Sequence, residues 1–127
     1  MKDKILIIDD NHEFLQSIKD ILNFEGYKVL LAQNGEQGLQ IAGEQYPDLI
    51  LCDIRMNHTD GFSVLKQLKK NNQTATIPLI YISAHAEEST MTLGDQLGAK
   101  GYLVKPFNRN ELIEVINRNL NIENKAI

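Results

Sequence analysis

The sequence contains one cysteine, Cys52, so no disulfide can close within the chain. Its place inside an apolar run marks it as a reduced, buried thiol, and a cytoplasmic protein is the expectation. No apolar stretch reaches the roughly 18 to 20 residues that a membrane-spanning helix needs. The opening Met1-Lys2-Asp3-Lys4, followed by Ile5 to Ile8, is too short for a secretory leader. Excess positive charge is missing too: 13 Lys and Arg against 17 Asp and Glu leave a formal net charge of -4. That falls short of the concentrated positive field a nucleic-acid surface requires, so neither DNA nor a membrane is an expected direct partner. His12 and His58 do not stand at a metal-ligand spacing such as His-x-x-x-His and read as surface residues. Repeats, low-complexity tracts and internal linkers are absent as well.

What is present has the proportions of one globular domain. A chain of 127 residues with 43% apolar and 24% charged residues can bury a core on its own. We expect the domain to occupy residues 1–121, with 122–127 as a tail or the start of a linker. Apolar runs at Ile5 to Ile8, Val29 to Ala32, Leu49 to Cys52, Ile77 to Ile82 and Tyr102 to Val104 read as strands. None alternates cleanly with polar residues, which predicts a parallel sheet covered on both faces.

Stretches with helical spacing lie between the runs, marked by Phe14, Ile18, Ile21 and Leu22, by Leu39 and Ala42, by Val64, Leu65 and Leu68, and by Leu112, Ile113, Ile116 and Leu120. Asn108 and Glu111 predict a capping box for the last helix, after Pro106 has ended a strand. Glu87 to Gln96, with Ser89, Thr90, Thr92 and Gly94, is a poorer and more mobile helix. Asn34-Gly35, Tyr46-Pro47-Asp48, Asp60-Gly61 and Gly98-Ala99 are turn signals. Five alternations of strand and helix select an α/β, doubly wound, five-stranded parallel sheet of order 2-1-3-4-5, a flavodoxin-like three-layer sandwich.

In such a sheet, residues that follow different strands become neighbours along one edge. Asp9 and Asp10 follow the first run, Asp53 the third, Ser83 the fourth and Lys105 the fifth. The crevice at the switch point lies between the first and third strands, where the three carboxylates would meet. At 4 Å each pair would repel by about 4 kcal/mol at an effective dielectric of about 20. Lys105 supplies one opposing charge, and a hard divalent cation such as Mg²⁺ could supply the rest through oxygen ligands. With that charge neutralised, an Asp carboxylate can attack phosphorus and Ser83 can hydrogen-bond a phosphoryl oxygen. Singly, each residue has a plainer reading: Asp10-Asn11 as a helix cap, Asp53 as a loop acid, Ser83 as a turn hydroxyl, Lys105 as a solvated lysine. Their joint placement is what points to chemistry.

From about Lys4 to Leu120 the sequence resembles bacterial response-regulator receiver domains of the single-domain, chemotaxis-regulator type. The resemblance is carried by Ile7-Ile8-Asp9-Asp10-Asn11, Pro47-Asp48-Leu49-Ile50-Leu51-Cys52-Asp53, Met56 with Asp60-Gly61, Ile82-Ser83-Ala84, and Gly98-Ala99 leading to Tyr102-Leu103-Val104-Lys105-Pro106-Phe107. It implies phosphorylation of Asp53 by a sensor histidine kinase or histidine phosphotransfer protein. It also implies Mg²⁺ or Mn²⁺ on Asp9, Asp10, Asp53 and the backbone carbonyl of Arg55, with Ser83 and Lys105 on the phosphoryl group. A cis Lys105-Pro106 peptide would aim the lysine.

Tyr102 matches the family's switch aromatic, coupled to Ser83, although ordinary strand packing would also place a Tyr there. Arg55 and His85 match positions that tune dephosphorylation, and solvated loop residues remain the alternative for both. The output surface would include the Glu87 to Gln96 helix and the last strand and helix, meeting a downstream protein or effector domain or forming a phosphorylation-dependent dimer. Asn57 stands where the family usually has Pro, which predicts a more mobile Arg55 to Asp60 loop.

Two other classes compete. A haloacid-dehalogenase-type phosphatase also uses Asp, Mg²⁺, Ser or Thr and Lys, but needs an acid two residues after the nucleophile, where this chain has Arg55. A receiver-like module that binds without phosphorylation would have lost acidic or Lys positions, and here none is lost. The expectation is a signalling protein that turns over no substrate, its only chemistry being Mg-dependent loading and release at Asp53.

Overall fold

The computed structural model describes residues 3–56, 60–84 and 87–125. Asn57, His58 and His85, and with them the expectations of loop mobility and dephosphorylation tuning placed there, lie outside the described residues.

The chain alternates strictly: β1 (Lys4–Ile8), α1 (His12–Phe24), β2 (Lys28–Ala32), α2 (Gly35–Gln45), β3 (Leu49–Asp53), α3 (Gly61–Lys70), β4 (Leu79–Ser83), α4 (Glu88–Leu97), β5 (Gly101–Val104) and α5 (Arg109–Lys125). The strands pair in parallel in the order β2-β1-β3-β4-β5, as the apolar runs predicted. The fourth strand starts at Leu79 rather than Ile77. Pro78 has no N–H to give to the ladder, and Ile77 is taken up by a turn in which its N–H donates to the Thr74 carbonyl at 3.1 Å.

Successive side chains of a strand face opposite sides. Ile5, Ile7, Leu49, Leu51, Ile80 and Ile82 therefore pack with α1 and α5, while Leu6, Ile8, Ile50, Cys52, Leu79 and Tyr81 pack with α2 and α3. Two cores on one sheet explain why no run alternates with polar residues.

Helix starts are set by short polar side chains. The side chains of Asn11, Asn34 and Asp60 accept from Phe14, Gln37 and Phe62 backbone N–H groups, at 3.1, 2.8 and 2.8 Å. Asn34-Gly35 and Asp60-Gly61, predicted as turns, are thus each a cap and a first helical residue. Asn108 and Glu111 form the reciprocal box, with 2.8 and 3.1 Å bonds. Tyr46 ends α2 at φ 47, and Gly98 ends α4 at φ 104. α4 has no side-chain cap, and Gly94 is its one buried residue. α5 continues past residue 121 to Lys125, a segment without Gly or Pro to stop it.

Candidate functional site

The C-terminal ends of β1, β3, β4 and β5 form the rim on which the chemistry assembles. Asp9 is fully buried, and its backbone N–H donates to the Ala32 carbonyl at 3.1 Å. Its two carboxylate oxygens have different partners: Oδ1 accepts from the Asn11 backbone N–H at 2.9 Å and Oδ2 from Lys105 Nζ at 2.9 Å. Asn11 rather than Asp10 caps α1, which resolves the open reading of that pair. Asp10 is exposed, and it joins Asp9 and Asp53 in a cluster in which one oxygen from each carboxylate lies within 4.8 Å of the others.

Asp53 ends β3 almost buried. Its Oδ1 accepts from the Arg55 N–H at 3.3 Å, and its Oδ2 lies 4.0 Å from Lys105 Nζ. Its pKa is pushed up to about 6, first by burial and next by the Asp9 charge; Lys105 and the Arg55 N–H act the other way, and Asp10 adds to the rise. Among the described residues one ammonium, that of Lys105, contacts the buried Asp9 and Asp53, which leaves the three carboxylates under-neutralised. Three oxygen donors at this spacing suit a hard cation such as Mg²⁺, so the residues present fit the metal.

Lys105 is placed by backbone and side-chain contacts. Its N–H donates to the Ser83 carbonyl at 2.8 Å, and its peptide with Pro106 is cis. Its ammonium sits 4.0 Å from the centre of the Phe14 ring, which is itself edge-on to Phe107 at 6.0 Å. The sequence marked Phe14 only as core-facing; contact with Lys105 requires the tertiary fold.

Ser83 is buried beside Asp53, since β3 and β4 pair Asp53 with Ile82. Its side chain shares a hydrogen bond with Tyr102, whose pKa is raised by burial and held back by that bond. The predicted switch pair is therefore in contact. The Arg55 guanidinium is exposed and lies 3.6 Å from Glu87, at the start of α4. Cys52 is buried, and its thiol donates to the Asp53 carbonyl at 3.3 Å. Burial, then the Asp53 charge, raises its pKa and keeps it protonated.

The sequence marked Gly61 as a turn signal and, with Met56 and Asp60, as part of a motif, but gave it no structural role. Its N–H donates to the Ile54 carbonyl at 2.7 Å, and a Cβ there would lie 2.5 Å from the Asp53 carbonyl oxygen. Only glycine permits that approach behind the central carboxylate. Among the described residues no helix is long and apolar enough to cross a membrane.

Fold and site together define a doubly wound α/β protein with an acidic, lysine-flanked crevice at the switch point of its sheet. The sequence profile of the Response regulator receiver domain matches residues 5–117. The transcriptional regulatory protein CpxR of Klebsiella pneumoniae is 41% identical over 110 residues, 87% of this chain and 46% of that protein. The chain thus spans about half the length of such relatives. Protein PilH of Pseudomonas aeruginosa is 35% identical over 114 residues, covering 90% of this chain and 94% of PilH. The receiver domain of sensor histidine kinase PA1611 of P. aeruginosa, solved with magnesium coordinated in its active-site cleft, superposes with a TM-score of 0.87 at 31% identity, over 94% of this chain and 98% of that one. The chain belongs to the response regulator receiver domain family, whose members accept phosphoryl groups in two-component signalling.

Proposed function

We propose that Asp53 takes a phosphoryl group from the phosphohistidine of a sensor histidine kinase or histidine phosphotransfer protein, with Mg²⁺ or Mn²⁺ held by Asp9, Asp10, Asp53 and the Arg55 backbone carbonyl. The observation that carries this reading is the meeting of three carboxylates, from two strands, with Lys105 in one crevice. The bound cation supplies charge neutralisation for the incoming phosphoryl oxygens.

An Asp53 carboxylate oxygen attacks phosphorus, the bond from phosphorus to imidazole nitrogen breaks, and the imidazole leaves with the electron pair. Lys105, already 4.0 Å from Asp53, turns toward the phosphoryl oxygens, and the Ser83 hydroxyl donates to one of them. Because Ser83 also holds Tyr102, its shift is passed to β5 and to the surface of α4 and α5. That surface meets a downstream protein, an effector domain or a second copy of the chain. Chemistry is confined to loading and water-driven release at Asp53, with Arg55 and His85 setting the lifetime. Residues 1–121 form the receiver unit, 122–127 a tail or the start of a linker, and the setting is the cytoplasm.

The test is incubation with acetyl phosphate or phosphoramidate and Mg²⁺, followed by intact mass measurement. A gain of one phosphoryl group that vanishes with EDTA and in Asp53→Asn is expected. An unchanged mass under every condition overturns the proposal.

A further inference from the structure

Tyr81 is fully buried in the middle of β4, two residues before Ser83, where its ring is surrounded by three other elements. Its hydroxyl donates to the Gly61 carbonyl at 2.8 Å, a buried bond between residues twenty apart in sequence. Gly61 is the residue that presses on the Asp53 backbone, and Asp60 beside it forms an antiparallel bridge with Arg55. The Tyr81 hydroxyl thus pins the far end of the segment that leaves Asp53. The ring lies edge-on to Phe62 of α3 at 5.5 Å and 6.5 Å from Tyr102 of β5. Its remaining edge receives α4: a Cβ added at Gly94, the one buried residue of that helix, would lie 3.2 Å from Tyr81 Cδ2.

A plain apolar residue would fill the same core volume. Only Tyr combines a flat seat for α4 with a hydroxyl that reaches the loop behind Asp53. α4 has no side-chain cap, and beside the partly buried Leu97, which packs against the same core, Gly94 is its one buried residue, so its placement leans on that seat. We infer that Tyr81 is a positioning residue that couples the Asp53 site to α4, through its hydroxyl on Gly61 at one end and its ring under Gly94 at the other. When Gly61 shifts with the phosphoryl state of Asp53, the ring is carried with it and α4 is reseated. This route is separate from the Ser83 and Tyr102 pair, and it rests on phosphoryl acceptance at Asp53.

The test uses the full chain with Mg²⁺ and beryllofluoride, a phosphoryl mimic, and reads backbone amide chemical shifts. In the wild type, saturation moves amides both at Asp53 to Met56 and across Glu88 to Leu97. In Tyr81→Phe, which keeps the ring, the Glu88 to Leu97 response is expected to fall about threefold relative to the Asp53 to Met56 response. Gly94→Ala, which wedges a methyl group against the ring without weakening the helix, is expected to reduce the same ratio.

A merely structural role for Tyr81 would lower the melting temperature but leave the ratio unchanged in both variants, and that result overturns the inference alone. If the wild type shows no response at Asp53 to Met56, the phosphoryl-acceptor reading fails and the inference falls with it. Should Tyr81→Phe not fold, Gly94→Ala with an unchanged ratio still overturns the inference.

Discussion

The Lys105 ammonium is hydrogen-bonded to Asp9 at 2.9 Å and stands farther from Asp53, at 4.0 Å. Asp9 is fully buried while the lysine side chain is 24% exposed, so the lysine offsets the charge of the deeper acid and remains free to swing outward. A phosphoryl group on Asp53 adds negative charge on the solvent side of the pair. The lysine then has a reason to leave Asp9 for the phosphoryl oxygens.

Lys105→Ala is expected to slow loading from phosphoramidate by about 10²-fold, because one of the fixed charges facing the transferring group is lost. It also leaves the Asp9 carboxylate buried without its ammonium partner, at a cost of roughly 3 kcal/mol or less in the metal-free protein. Mg²⁺ should restore much of that stability but little of the rate. Urea denaturation with and without Mg²⁺, beside time-resolved mass measurement, separates the two effects.

Asp53 gives stability a pH dependence of defined sign. Its folded pKa of about 6 lies above the ordinary carboxylate value, so the folded protein holds the proton more tightly than the unfolded chain. Ionisation therefore opposes folding: the favourable contribution is present below pH ~4 and is lost as pH rises to about 6. In EDTA, Asp53→Asn is expected to be more stable than the wild type at neutral pH, by an amount on the order of 2 kcal/mol, with the gain shrinking toward pH ~4. Mg²⁺ should reduce the difference at neutral pH. Equal melting temperatures for the two proteins in EDTA at every pH would contradict the raised pKa.

Gly61→Ala puts a methyl group 2.5 Å from the Asp53 carbonyl oxygen, a backbone atom that cannot give way without moving the strand end. The variant is expected to lose on the order of 2 kcal/mol of stability and to bind Mg²⁺ more weakly, as read by calorimetric titration. Gly43→Ala serves as the control, since a Cβ there meets nothing within 4 Å.

Asn108→Ala removes one half of the capping box at α5, where the side chain accepts from the Glu111 N–H. A loss of about 1 kcal/mol in urea denaturation is expected. The rate of Asp53 loading should stay within twofold, because the box lies past the loop that carries Lys105 rather than on the rim.

Much of this arrangement was legible in the chain. The strands appear as short apolar runs because a doubly covered sheet needs apolar residues on both strand faces, and the helices between them show their own periodicity. In a parallel sheet, residues that end different strands must share an edge, which is why chain direction alone groups Asp9, Asp10, Asp53, Ser83 and Lys105. Asp10 and Asn11 were harder to separate, because both are short polar residues able to cap α1 and only the bond from Phe14 identifies Asn11.

Sequence alone determined the order of elements, the polarity of the sheet and the residues on its rim, since each follows from local hydrophobic pattern and chain direction. Tertiary structure decided which oxygen the Lys105 ammonium holds, that Phe14 covers it, and that Gly61 and the Tyr81 hydroxyl brace the backbone behind Asp53. Those contacts join residues from different elements at distances of a few ångströms. Such distances are set by how the layers pack, and no periodicity along the chain encodes them.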